Sequence, residues 1–146
     1  MPIEIKDCDG GIGNIIASRG TLTDQELIDS LKSHLTHGKE KFKEYKYILI
    51  DHTDLIKVDI TDKAVDLIAG LLADTSKVNP DSIVAMVAYV PIGVNMDLID
   101  KIQRLHELFI YRSGWKTMLF RTKPQAVRWI REKVKEKFGI DDLTFG

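Results

Sequence analysis

The stretch YILIDHTD, from Tyr47 to Asp54, joins four consecutive apolar residues to four polar ones. Four apolar residues are too few for a helix and are typical of a strand that is covered on both faces. Ile83 to Val90 is a longer run of the same kind, and Lys116 to Phe120 indicates a third strand. Buried strands of this type predict a mainly parallel sheet with helices packed on its faces.

Helix signals alternate with these strands. Thr23-Asp-Gln-Glu26 is a capping box, in which the Thr hydroxyl and the Glu carboxylate satisfy backbone N–H groups at the start of a helix. Apolar residues then recur at helical spacing. Four helices are predicted on such grounds, beginning near Thr23, Thr61, Asn95 and Thr122, and Gly139 ends the last one.

An antiparallel hairpin is predicted before the first helix. Ile3 to Cys8 and Ile12 to Ser18 indicate two strands, and the Asp-Gly-Gly sequence between them is typical of a tight turn. Gly38 to Tyr45 is predicted to be a charged connection, and Ile140 to Gly146 a loose tail. The expected fold class is therefore α/β, with a mixed, mainly parallel five-stranded sheet and about four helices in one domain that spans residues 1–146.

Open sheets of this kind bind ligands beyond the carboxyl ends of their strands. Those ends are predicted at Asp51–Thr61, Pro91–Asn95 and Arg121–Lys123. Polar side chains in these three segments are the first candidates for a functional site.

Length and composition exclude several classes of protein. Of the 146 residues, 44% are apolar and 29% are charged, which is enough apolar surface for a folded core. Cys8 is the only cysteine, which excludes an intrachain disulfide and favours a reducing compartment. The most apolar window, Ile83 to Val94, is shorter than the roughly 20 residues of a membrane-spanning helix, and no signal-peptide pattern begins the sequence. We therefore expect a cytoplasmic protein without stable membrane insertion.

Charge is distributed unevenly along the chain. The formal net charge is −1, but eleven basic and three acidic side chains lie between Lys101 and Phe138, which gives that segment a net charge of +8. Such a segment can attract an anionic partner or membrane surface. Because its basic residues alternate with apolar ones at helical spacing, we interpret them as the solvated faces of helices. An isoelectric point near 6.4, and basic residues that are not interleaved with exposed aromatic ones, argue against nucleic acid as a partner.

Candidate catalytic and metal-binding residues are few. Asp51 and His52 follow a predicted strand, which is where a general base would lie, but no nucleophile motif accompanies them. Carboxylates at strand ends commonly accept hydrogen bonds from loop amides, and we favour that structural role. His34 and His37 have a metal-compatible spacing but no third ligand nearby. The sequence therefore predicts no enzymatic activity, no metal site and no cofactor.

The order of the predicted elements resembles that of the STAS (SpoIIAA-like) domain of anti-sigma-factor antagonists. Four segments are similar to the stand-alone bacterial branch of that family, and they cover almost the whole chain: Gly20–Asp24, Tyr47–Ile60, Arg104–Glu107 and Phe120–Ile130. The resemblance implies a SpoIIAA-like fold and a regulatory, protein-binding function. A similar broad fold is also seen in the CRAL-TRIO lipid-transfer family.

Phospho-regulated members of the STAS family carry Asp-Ser-Ser-Gly after a strand, and the first Ser is phosphorylated. This chain has Asp59-Ile60-Thr61-Asp62 at the matching place, so only Asp59 and the second hydroxyl, that of Thr61, agree with the motif. Residue 60 has no hydroxyl that could accept phosphate. We therefore expect no intact phosphoserine switch, and we expect Thr61 to cap the second helix.

Two functions from different classes remain open. The first is a non-enzymatic binding module that presents the surface around Asp51, His52, Asp59 and Thr61, with Arg104 nearby, to a protein partner or to a second copy in a homodimer. The second is a carrier of a small apolar or lipid-like ligand between the sheet and the helices. An enclosed apolar cavity on the order of 300 Å³ or more behind the third helix would favour the carrier, whereas a filled core would favour the binding module.

Overall fold

The computed structural model describes residues 3–89 and 96–146, which form five strands, five α-helices and one 3-10 turn at Asp9–Gly11. The strands are β1 (Ile3–Cys8), β2 (Gly13–Thr23), β3 (Tyr47–Asp59), β4 (Ile83–Val87) and β5 (Thr117–Phe120). The α-helices are α1 (Asp24–Leu35), α2 (Lys39–Phe42), α3 (Asp62–Val78), α4 (Met96–Tyr111) and α5 (Lys123–Phe138). The predicted helix cap at Asn95 and the predicted strand end at Pro91–Asn95 lie outside the described residues.

The five strands form one sheet in the order β1-β2-β3-β4-β5. β1 and β2 are antiparallel, and every other neighbouring pair is parallel. The predicted hairpin and the predicted mixed, mainly parallel sheet are therefore confirmed. The described residues contain a fifth helix because the charged connection after α1 includes the single helical turn α2. None of the described helices is long and apolar enough to cross a bilayer.

β3 is much longer than its apolar run suggests. It continues through 13 residues to Asp59, and β2 likewise continues to Thr23 rather than ending at Ser18. The prediction that a loop begins at Asp51 is therefore wrong, because the residues from Asp51 to Asp59 belong to β3. The pairing of β3 with β4 stops at Asp51 opposite Val87, whereas its pairing with β2 continues to the end of both strands. β2 and β3 thus extend beyond β4 as a two-stranded ribbon.

Side chains from the two faces of the sheet enter different hydrophobic clusters. Ile48 and Ile50 pack with residues of α1 and α3 on one face. Tyr47 and Leu49 pack on the other face with α5, as the two-residue alternation of a strand requires. A third cluster holds α4 against the ribbon and contains Leu22, Leu55, Val58, Leu98, Ile102 and Leu105.

The carboxyl-terminal residues pack against the turn between β1 and β2. The Asp9 carboxylate accepts hydrogen bonds from the Thr144 amide at 2.7 Å, the Thr144 hydroxyl at 2.8 Å and the Phe145 amide at 3.1 Å. Leu143 is buried, and the Phe145 ring lies 4.7 Å from the Tyr47 ring. The prediction of a loose tail is therefore wrong. Asp9 was expected only to form a local turn, but its carboxylate also binds the distant end of the chain.

Candidate functional site

The carboxyl ends of β2 and β3 bring polar residues from several elements together. The two strands end side by side, with Thr23 opposite Asp59. α1 begins directly after β2 and α3 begins shortly after β3, so two helix N-termini lie at this end of the sheet. We refer to the polar residues there as the strand-end cluster, which consists of Asp24, Asp59, Thr61, Asp62 and Arg104.

Side-chain contacts within the strand-end cluster connect three helices. The Thr61 hydroxyl donates a hydrogen bond to the Asp24 carboxylate at 2.8 Å, which links the starts of α3 and α1. Arg104 of α4 lies 3.5 Å from the Asp62 carboxylate. Both side chains of this ion pair are largely exposed, so it contributes little to stability, about 0–1 kcal/mol. Asp59 is exposed and makes no hydrogen bond or ion pair among the described residues.

Thr61 occupies the N-cap position of α3, as predicted, but its side chain does not cap the helix. The Thr61 carbonyl accepts a hydrogen bond from the Ala64 amide at 3.1 Å and so begins the helix. The hydroxyl turns away to Asp24 instead. The predicted capping contact is therefore wrong, and the hydroxyl joins two elements.

His52 lies in the middle of β3 and belongs to the core. It is 5% exposed and lines a cavity of about 50 Å³ between the sheet and the helices on one face, a cavity that His34 also lines. Burial lowers the pKa of His52 from 6.5 to about 4, and the negative charge of Asp51 opposes that shift only in part. Nδ1 of His52 and Nε2 of His34 are buried without a hydrogen-bond partner among the described residues. His52 is therefore a neutral core residue at physiological pH.

Asp51 lies on the opposite face of the sheet from His52, because consecutive residues of a strand alternate between faces. Its carboxylate accepts hydrogen bonds from the backbone N–H of Thr53 at 2.9 Å and from the Thr53 hydroxyl. The structural role predicted for this carboxylate is confirmed, although it acts within a strand rather than a loop. Of the five residues predicted for one surface, the fold brings together Asp59, Thr61 and Arg104, and it separates Asp51 and His52 from them.

Asp24 and Asp62 belong to the strand-end cluster, but the sequence analysis does not predict them as site residues. The available signal was the capping box at Thr23–Glu26, which begins a helix and so marks the end of the preceding strand. A strand that continues to this box places Asp24 at the carboxyl end of β2, next to the residues that follow β3. No group of three or more His, Cys, Asp or Glu residues suited to a metal ion occurs within residues 3–89 and 96–146.

An open cleft of about 630 Å³ lies beside the carboxyl ends of β4 and β5. Apolar residues of α4 and β5 line it, together with Ala88 and Tyr89, which follow β4, and Arg121. The Arg121 guanidinium lies over the Tyr89 ring, 5.9 Å from its centre. This cleft is far larger than the cavity beside His52 and offers a cation at its border.

The sheet order and the helix placement define a mixed α/β domain with a SpoIIAA-like fold. The crystal structure of an uncharacterized DUF3478-family protein with a SpoIIAA-like fold, from Shewanella loihica, superposes with a TM-score of 0.51 and 21% sequence identity, covering 88% of this chain and 91% of that one. The anti-sigma factor antagonist SpoIIAA in its unphosphorylated form gives a TM-score of 0.49 and 12% identity, covering 88% and 97% of the two chains. The sequence matches no protein-family model and none of the curated proteins. The SpoIIAA-like fold predicted from the sequence is confirmed.

Proposed function

We propose that this protein is a non-enzymatic docking module and that its strand-end cluster is the surface that a protein partner recognises. The observation that carries the proposal is the convergence of three helices at that cluster, through the contacts of Thr61 with Asp24 and of Arg104 with Asp62. A surface built on helix starts and strand ends is held rigidly by the fold, so little order has to be gained on binding. The resemblance of Tyr47–Ile60 and Arg104–Glu107 to the STAS family supports the same use.

The charge of the cluster indicates the chemistry of the partner. The cluster contains three carboxylates and one guanidinium, and Asp59 and Asp62 are exposed. The partial positive charges of two helix N-termini offset part of this negative charge, within the first turn of each helix. The partner surface that fits best presents lysine or arginine to Asp59 and Asp62, since complementary charges speed association and fix the orientation of a complex.

The experiment is a charge reversal in the cluster with a matched reversal elsewhere on the same helix. Asp62→Lys removes the carboxylate that meets Arg104, whereas Asp74→Lys makes the same change at an exposed position near the other end of α3. A partner is captured from the native cytoplasm with wild-type protein, purified, and titrated by calorimetry with each variant. We expect Asp62→Lys to weaken binding at least tenfold, on the order of 1.4 kcal/mol, and Asp74→Lys to leave the affinity unchanged.

Equal losses for both variants would show that the effect is general electrostatics rather than recognition at the cluster. Unchanged binding by Asp62→Lys and by a second variant, Asp59→Lys, would overturn the proposal. Circular dichroism and thermal unfolding of each variant separate a binding effect from a folding effect.

A second candidate function is carriage of a small amphiphile in the open cleft beside α4. The cavity beside His52, at about 50 Å³, is too small for this purpose, because ligand sites have volumes of about 300 Å³ or more. The cleft of about 630 Å³ meets that size, and Arg121 at its border is positioned for a carboxylate or phosphate head group. Arg104 contacts Asp62 instead and does not line the cleft.

Native mass spectrometry of freshly purified protein distinguishes the carrier from the docking module. A carrier shows an additional mass, and members of a fatty-acid and phospholipid panel raise its melting temperature. The Arg121→Glu substitution should reduce that thermal stabilisation. A single apo mass with no thermal shift across the panel would eliminate the carrier and leave the docking proposal untouched.

A further inference from the structure

β1 ends the sheet, so one edge of this strand pairs with nothing in the described part of the chain. Its pairing with β2 is regular over all six residues from Ile3 to Cys8. Natural proteins usually blunt such an edge with charged side chains, a bulge, a proline or a covering segment. β1 carries the charged residues Glu4, Lys6 and Asp7, but it has neither a bulge nor an internal proline, and Ile5 at its centre is 49% exposed. The edge is therefore competent to pair with another strand.

The residues on either side of Ile5 carry opposite charges. Glu4 and Lys6 lie opposite Ala17 and Ile15 of β2, and both project from the face of the sheet that α5 covers elsewhere. Ile5 projects from the other face, opposite Ile16. If two copies of β1 pair antiparallel about Ile5, Glu4 of each copy lies opposite Lys6 of the other. Cross-strand pairs of opposite charge stabilise a sheet, whereas like charges destabilise it.

We propose that two copies of this chain associate through their β1 edges, about a two-fold axis at Ile5, and so form a continuous ten-stranded sheet. The two-fold operation makes every contact reciprocal, which is the usual symmetry of a homodimer. Glu4 already pairs with Arg19 of its own β2 at 3.1 Å, so the second copy's Lys6 adds a second cation to the same carboxylate. This proposal uses a different surface from the strand-end cluster and does not depend on it.

Space beside the edge accommodates the second copy. A groove of about 450 Å³ runs between β1 and the α1–α2 segment, and Ile5, Ser33, Gly38 and Lys41 are among the residues that line it. The groove lies on the Ile5 face, where the second copy's Ile5 would project in the paired arrangement. An isoleucine from each copy would therefore be covered, while the Glu4–Lys6 pairs form on the opposite face.

The test is charge complementation between two single variants, measured by sedimentation equilibrium at concentrations up to about 1 mM, the range of a weak interface. Lys6→Glu places two glutamates opposite each other in the symmetric pairing, and Glu4→Lys places two lysines opposite each other. We expect each variant alone to dimerise at least tenfold more weakly than wild type. An equimolar mixture of the two restores opposite charges in both pairs, so we expect it to form a heterodimer with about the wild-type affinity.

Lys57→Glu is the matched control, since it reverses an exposed strand lysine away from this edge, and it should leave dimerisation unchanged. Thermal unfolding establishes that each variant is folded. A wild-type protein that stays monomeric over the whole concentration range overturns the proposal. So does a Lys6→Glu variant with the wild-type dissociation constant, and so does a mixture of folded variants that fails to restore the dimer.

Discussion

Replacing His52 with phenylalanine should make the stability of the folded protein less sensitive to acid. The imidazole is 5% exposed, and burial lowers its pKa to about 4 from 6.5. The unfolded chain therefore binds this proton near pH 6.5, while the folded chain binds it only near pH 4. Because the unfolded state binds more protons between these values, the free energy of unfolding falls as the pH falls from 6.5 to 4.

The size of the effect follows from these two pKa values. At pH 5 they correspond to a loss of about 2 kcal/mol in the free energy of unfolding for His52. His34 lines the same cavity, and burial lowers its pKa to about 4, so it adds a loss of similar size. Among the described residues that line the cavity, none is acidic, so no carboxylate there offsets this cost. Between pH 7.5 and pH 5, these two histidines should lower the free energy of unfolding of the wild-type protein by roughly 4 kcal/mol. In His52→Phe the corresponding loss should be roughly half of that.

Urea unfolding at pH 7.5, 6 and 5, followed by tryptophan fluorescence, measures this difference. His37→Gln is the control, because it removes an exposed imidazole that does not line the cavity. Burial also lowers the pKa of His106. Because His106 is present in every variant, its contribution to the acid dependence is the same in each and drops out of the comparison. At pH 7.5, His52→Phe removes a buried nitrogen without a partner and adds apolar volume beside the cavity, so it should be at least as stable as wild type. If His52→Phe keeps the full acid loss of the wild-type protein, burial of His52 is not its source and the reasoning is refuted.

Three further substitutions test contacts that hold the fold. Gly13→Ala places a Cβ atom in steric overlap with the Tyr47 ring, and we expect urea unfolding to show that the free energy of unfolding falls by about 3 kcal/mol. Asp9→Ala removes the acceptor of two hydrogen bonds from Thr144; the Thr144 amide should exchange its hydrogen much faster, and stability should fall by about 1–3 kcal/mol. Thr122→Ala removes the hydroxyl that caps α5 and should cost about 1 kcal/mol, measured as a lower melting temperature that Thr122→Ser largely restores.

The last helix was predictable because its boundaries depend on local chemistry. Thr122 and Gln125 form a complete capping box, and proline occupies the first turn, where a backbone N–H has no partner inside the helix. Gly139 ends the helix with a φ of +70°, a conformation that glycine adopts without strain. Each of these signals lies within a few residues of the feature it determines, so tertiary structure did not have to be known.

The length of β3 was not predictable in the same way. Its pairing with β2 contains two register shifts, between Ala17 and Arg19 and between Gly20 and Thr21. These irregularities interrupt the two-residue alternation, so the buried Leu55 and Val58 are three positions apart and resemble neither a regular strand nor a helix. Asp54 and Asp59, on either side of these two residues, favour a loop on composition alone, and only pairing with β2 makes the segment a strand.

The extension of β3 also determines which of the predicted site residues can lie close together. Asp51 and Asp59 pair with Ala17 and Thr23 of β2, which are six residues apart in an extended strand, so roughly 20 Å separates them. Asp51 and His52 therefore cannot share a small binding surface with Asp59, however close they lie in the sequence. The cluster at the far end is supported instead by the apolar contacts of α4 with the ribbon, which position Arg104 beside α3. The orientation of the proposed docking surface thus depends on a hydrophobic cluster that is separate from the two cores of the main sheet.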